Sequence, residues 1–236
     1  MKLTAIIKTS LVKVMDRLLA KRKALVSYYR QDKSRSDFFD LYKKIQKEVS
    51  FLLNFNEAYQ IYMDVKNTAG IPGAIAEVGP YMGGSSKIIC EAKDGKNFYI
   101  FDTFEGLPPS TTGDDGGFSQ GDFDAKGITS DLFSFVKNYL KGYSNVHIYK
   151  GIFPEKNSEA VVGERFSFIH LDVDIYVSTK QSLEFFYPRL NKGGILVSHD
   201  YENSPGVRKA FNEFFVDKPE PVVQIFAGQQ CLIVKQ

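Results

Sequence analysis

Five side chains suited to moving a proton or holding a hard cation fall in or just beyond short apolar runs: Glu77, Asp102, Asp172, His199 and Asp200. The runs at 75–78, 97–101, 166–171 and 195–198 read as buried strands. In an open α/β sheet, ligands bind beyond the carboxyl ends of the strands, so these residues converge on one edge. Asp172 and Asp200 are hard oxygen donors. Mg²⁺ usually keeps several waters, so two such carboxylates suffice for it. His199 has three open readings. Its imidazole suits Zn, Fe or Ni better than Mg, its pKa suits a general base near neutrality, and it could simply make a structural hydrogen bond. Asp174 either fixes its turn or adds a ligand. His170, inside a strand, is expected to be structural.

The elements that position these residues are organised around the stretch IAEVGPYMGGSSKIICEA, at 75–92. A strand ends in a glycine turn, and Ser85 and Ser86 are expected to cap a helix carrying Ile88, Ile89 and Ala92 inward. Glycine admits a ligand close to the backbone, and a helix N-terminus offers unpaired N–H groups. A dinucleotide fingerprint needs G-x-G-x-x-G. Here Tyr81 holds the second glycine's place, and the spacing is instead E-x-G-x-x-x-G-G, from Glu77 through Gly79 to Gly83 and Gly84. This wider turn, with an acid before it, suits a ligand without a pyrophosphate, such as S-adenosylmethionine (SAM). A glycine-rich turn with no ligand is the alternative. Asp102, 23 residues after Gly79, is placed to bind two ribose hydroxyls. Tyr81, Gly83 and Thr103, in the same two turns, are assigned to the same cofactor pocket, as is Asp172, which is also expected to be catalytic together with His199.

Upstream, residues 4–30 have helical periodicity, and a second helical segment is expected over 37–65, with Phe38, Leu41, Ile45, Val49, Leu52 and Phe55 on one stripe. Residues 1–70 therefore read as a helical appendage, a lid or dimer contact, before a catalytic domain at 71–236. The polar stretch 105–130 is a long loop whose Phe118 and Phe123 could close over a substrate. Helices at 131–141, 178–190 and 205–215 alternate with strands. Two final strands joined by AGQQ form a hairpin, which ends a mostly parallel sheet with antiparallel pairing.

With 43% hydrophobic residues, the 236-residue chain can build a sizeable core, yet no apolar run approaches the length of a membrane span. The N-terminus lacks the pattern of a signal peptide. Two isolated cysteines, Cys90 and Cys231, suggest a reducing, cytoplasmic setting. Residues 1–35 carry a charge of +8 and the remainder −6. The basic segment is either a solvated helix face or a contact for an anionic partner. An acidic remainder without a basic groove argues against nucleic acid.

Together, EVGPYMGGSS, FDTFEGLP, GIFPE, FIHLDVDIYVSTKQSLEFFYPRLNKGGILVSHDY and PGVRKAFNEFF make the chain resemble the macrocin-O-methyltransferase (TylF-type) family. The resemblance implies a Rossmann-like class I methyltransferase fold with a seven-stranded sheet, SAM as donor, Mg²⁺ assistance and a sugar hydroxyl as acceptor. It implies that Glu77, Gly79 and Ser85 line the SAM pocket, that Asp102 binds the ribose, and that Asp172, His199 and Asp200 take the metal positions. The family often has Asp-Asp where this chain has His199-Asp200, which weighs against tight magnesium binding and shifts the base role toward His199. Two other readings stand beside an O-methyltransferase: a metal-independent enzyme with His199 as base, and a SAM-binding protein without turnover. A homodimer is the default expectation.

Overall fold

The computed structural model describes residues 33–110, 115–226 and 228–236. The helix expected over residues 4–30 lies outside them. The chain divides into two compact units, Met1–Phe39 and Asp40–Gln236. Residues 40–70 fall in the second unit.

Helix α1 (Lys33–Glu48) and helix α2 (Phe55–Asn67) replace the single helix expected over 37–65. The interruption has a local cause. The Asn54 side chain accepts the N–H groups of Asn56 and Glu57, and the Glu57 carboxylate accepts the N–H of Asn54 at 2.8 Å. This reciprocal capping box starts a new helix and leaves 50–53 free to run in another direction.

The sheet follows in the order β3-β2-β1-β4-β5-β7-β6. Strands β1 (Ala74–Val78), β2 (Phe98–Asp102), β3 (Val146–Lys150), β4 (Phe166–Leu171) and β5 (Leu190–Ser198) pair in parallel. Strands β6 (Val223–Gln224) and β7 (Cys231–Val234) form the closing hairpin, with β7 antiparallel to β5. The order reverses between β1 and β4, the place where an open sheet leaves a crevice at its carboxyl edge.

Helices α3 (Gly84–Ala92), α4 (Leu132–Leu140), α5 (Tyr176–Phe186) and α6 (Pro205–Phe215) complete the layers. β1 and β4 are buried at every position, so they show no apolar–polar alternation, and their few polar side chains, Glu77, Ser167 and His170, are buried as well. Phe101, Phe153, Phe166 and Phe186 fill the core beneath the sheet, with Phe153 and Phe186 stacked 4.9 Å apart. α5 ends earlier than expected, at Phe186. Pro188, which has no N–H to donate, sits in a single 3₁₀ turn, Tyr187–Arg189.

The glycine turn also differs in one detail. α3 is not capped by serine: Gly83 is its N-cap, in the left-handed conformation that glycine adopts without strain (φ 82°). Ser86 lies inside the first turn, and its hydroxyl instead bonds to the buried carboxylate of Glu77.

Candidate active site

Backbone hydrogen bonds that continue the sheet ladder past the strand ends hold the site in register. The N–H of Gly79 bonds to Phe101, that of Asp172 to Val78, and that of His199 to Leu171, each at 2.9 Å. Residues distant in sequence are thereby lined up side by side along one edge. At Gly79 (φ 88°) a Cβ would run into the carbonyl of Asp172, so only glycine permits this close approach of the β1 and β4 ends.

A cavity of about 310 Å³ opens above this edge. Gly79, Tyr81, Ser85, Asp102, Thr103, Asp172, His199 and Asp200 all line it. Glu77 and Gly83 are not in its wall. Glu77 is fully buried beneath, paired across the β1–β4 register with His170, whose Nδ1 stands 2.9 Å from its carboxylate. Glu77 therefore fastens α3 and β4 to β1 below the cavity floor.

Asp102 sits at one end. Its carboxylate accepts the N–H of Phe104 at 2.6 Å and that of Tyr81 at 3.3 Å. The Thr103 hydroxyl also lies 3.3 Å from Oδ1, but its one proton goes to the nearer Gly106 carbonyl at 2.6 Å; a carboxylate offers about four acceptor positions, so roughly two remain for a ligand. That number matches a vicinal diol. Burial, opposed by the two N–H bonds, raises the Asp102 pKa to about 6.

The second group comprises Asp172, His199 and Asp200, with Asp174 beside them. His199 Nδ1 stands 2.8 Å from Asp200 Oδ2 and 3.3 Å from Asp172 Oδ1. Burial disfavours charge on the imidazole, but Asp172 and then the contacts with Asp200 and Glu57 outweigh it, and the His199 pKa is raised well above its usual value. Burial raises Asp172, against the pull of His199. Burial also raises Asp174, and the charges of Asp172 and Asp200 push it further up. Burial acts in the same sense on Asp200, but the His199 hydrogen bond overrides it and holds Asp200 down at about 2. Asp174 (φ 60°) and Asp200 (φ 58°) are both left-handed without being glycine, a strain that clusters at functional sites.

The donor atoms of Asp172, His199 and Asp200 all lie within 4.8 Å of one another. Ligands about 2.1 Å from a shared cation and at right angles to each other stand roughly 3 Å apart. The 2.8 and 3.3 Å separations fit that arrangement, so the set fits a divalent cation.

A family model described as macrocin-O-methyltransferase (TylF) matches residues 54–225. The chain belongs to this family. Among family relatives, a Streptomyces olivaceus 8-demethyl-8-(2,3-dimethoxy-alpha-L-rhamnosyl)-tetracenomycin-C 4'-O-methyltransferase is 28% identical over 144 residues, 56% of this chain and 54% of that one. A demethyldecarbamoylnovobiocin O-methyltransferase of Streptomyces niveus is 24% identical over 156 residues, 61% of this chain and 58% of that one. The match thus spans little more than half the length of these curated relatives. The crystal structure of CalS11, a calicheamicin methyltransferase, superposes with a TM-score of 0.65 at 18% identity, covering 89% of this chain and 98% of that one. The fold is therefore that of the class I O-methyltransferases, with the sheet order and antiparallel ending expected from the sequence.

Three contributors to the site of this TylF-family chain are not legible as such in its sequence. Phe51, Leu52 and Leu53, released by the helix break, form an apolar wall of the cavity. Asn203 and Gln229 reach it from the loops after β5 and before β7. Glu57 stands behind His199, with Oε1 3.6 Å from its Nε2. The N-x-x-E pattern of Asn54–Glu57 was a legible capping signal for the break. Nothing local pointed Glu57 toward His199.

The loop over 105–130 carries no helix or strand among its described residues, and Phe118 and Phe123 line the cavity. It is tied down at Asp115, which is buried, accepts the N–H of Tyr176 at the start of α5, and bonds to Ser110.

Proposed function

We propose that this protein transfers the methyl group of SAM to a hydroxyl of a sugar-containing small molecule, assisted by a divalent cation. The observation carrying this reading is one cavity lined both by the Asp102 carboxylate and by the close-set donor atoms of Asp172, His199 and Asp200. Family membership and relatives named for O-methylation of glycosylated natural products support it.

In this reading Asp102 accepts both ribose hydroxyls of SAM. Gly79 and Tyr81 give the donor room along the turn, and Ser85 and Thr103 border it. The apolar faces of Phe51, Phe118 and Phe123 exclude water and hold the sugar-bearing acceptor. A cation bound by Asp172, His199 and Asp200 would lower the acceptor hydroxyl's pKa and fix its oxygens. The acceptor oxygen then attacks the methyl carbon in line. A C–O bond forms, the C–S bond breaks with its electron pair going to sulfur, and S-adenosylhomocysteine leaves. Asp172, at the cavity wall beside Gly79, takes the hydroxyl proton. His199 serves as ligand rather than base, because both of its ring nitrogens face carboxylates.

A homodimer and a cytoplasmic setting belong to the same proposal on sequence grounds alone; light scattering tests the first. The function itself is tested by calorimetry with SAM, followed by transfer assays on glycosylated acceptors with EDTA or added cation. The expected result is SAM binding under both conditions, with transfer lost in EDTA and restored by cation. Absence of SAM binding refutes the methyltransferase reading, and transfer unchanged in EDTA refutes the cation.

A further inference from the structure

We propose that Glu57 is a positioning residue for His199, and that the pair makes the cluster select a nitrogen-favouring first-row cation, such as Co²⁺ or Zn²⁺, over Mg²⁺. This inference rests on the reading that Asp172, His199 and Asp200 hold a cation.

Glu57 is 3% exposed and is held from several sides. Its Oε2 accepts the N–H of Asn54 at 2.8 Å, and its Oε1 accepts the N–H of Gln229 at 2.9 Å. Gly228 packs so closely that a Cβ there would come within 2.8 Å of the Glu57 side chain. A carboxylate fixed in this way does not swing. Its Oε1 faces His199 Nε2 at 3.6 Å, and that nitrogen is buried without a hydrogen-bond partner among the described residues. Glu57 thus stands on the Nε2 side, slightly beyond hydrogen-bond range, while Asp200 and Asp172 stand on the Nδ1 side.

The consequence concerns the opposite ring nitrogen. With Nε2 turned to the fixed Glu57 carboxylate, Nδ1 is the ring nitrogen presented to the cluster, 2.8 Å from Asp200 and 3.3 Å from Asp172. Carboxylate, imidazole and cation in that sequence form the outer-shell arrangement that orients metal-bound histidines and raises their donor strength. An imidazole donor adds little for Mg²⁺, which demands oxygen and holds its water tightly. It adds much for Co²⁺, Ni²⁺ and Zn²⁺. The apolar wall at 51–53 and the Glu57 clamp both follow from the helix break at Asn54, so one local feature shapes both the cavity and the histidine.

The full-length protein, stripped with EDTA, is titrated separately with CoCl₂, ZnCl₂ and MgCl₂, and the visible absorption of the Co²⁺ form is recorded. Wild type is expected to bind Co²⁺ and Zn²⁺ at least about tenfold more tightly than Mg²⁺. Glu57→Gln should weaken Co²⁺ and Zn²⁺ by about 10- to 100-fold, shift the Co²⁺ absorption band, and change Mg²⁺ little. His199→Asp, which leaves Glu57 untouched, should erase the preference, so a misfolded Glu57 variant does not decide the matter alone. Equal affinity for Mg²⁺ and Co²⁺ in wild type overturns the inference, as does a Glu57→Gln protein with unaltered Co²⁺ affinity and spectrum. SAM calorimetry on the same samples separates the two readings. SAM binding with no affinity for any cation overturns this inference and leaves the donor site standing. Cation selectivity without SAM binding supports this inference and overturns the proposed function.

Discussion

Asp102 offers the sharpest test of the donor site, through the substitution Asp102→Asn. Its carboxylate accepts two backbone N–H groups and retains about two acceptor positions for the ligand. An amide of the same shape keeps one oxygen, which can stay on Phe104, but turns an NH₂ toward the N–H of Tyr81 or toward the ribose. Hydrogen bonds to a charged group contribute about 1.5–3 kcal/mol each. Losing one of them and weakening the other costs about 2–4 kcal/mol of SAM binding, or roughly 30- to 1000-fold in Kd. The pH dependence supplies an internal control. The Asp102 pKa is raised to about 6, so the ionised acceptor is fully present above that pH and is lost as the pH falls through it. SAM affinity of the wild type should therefore decline from pH 7 to pH 5, and that part of the decline should vanish in Asp102→Asn. Calorimetry with SAM from pH 5 to pH 8 measures both effects. A variant that binds SAM within threefold of wild type at pH 7.5, or that keeps the same pH profile, would refute the assignment of Asp102 to the ribose.

Two further substitutions probe the frame around the site. Gly79→Ala forces a Cβ against the Asp172 carbonyl at a positive φ, and should cost about 3 kcal/mol or more, lowering Tm by roughly 6–12 °C in a thermal melt. A melting point within 2 °C of wild type would show that the β1 and β4 ends can separate freely. Asp115→Ala removes the acceptor at the start of α5 and frees the loop over 105–130. Stability should fall by about 1 kcal/mol, and limited proteolysis should cut within that loop faster than in wild type. Unchanged cleavage would mean that the loop is held elsewhere.

The local pattern was enough for most of the frame. Apolar runs bounded by glycine and charge mark β1, β2, β4 and β5, because strands buried on both faces show as continuous hydrophobic segments. The acids placed just past them could be assigned to one sheet edge from topology alone. Asp102, Asp172, His199 and Asp200 are assigned to that edge by the sequence, and all four line the cavity.

Sequence periodicity could not separate α1 from α2, since the apolar stripe continues across the break that Asn54 and Glu57 impose. It placed Glu77 toward the ligand, whereas the β1–β4 register pairs this carboxylate with His170 in the interior. Ser86 looked like a cap and became a partner for that buried charge. Strand ends and turns are local decisions, made by backbone sterics and short-range hydrophobic pattern, and so the chain states them in order. Which carboxylate faces the cavity, and which stands behind His199, depends on register and on the packing of α2 beside the closing hairpin. Those contacts join residues far apart in sequence, and only the folded chain brings them together.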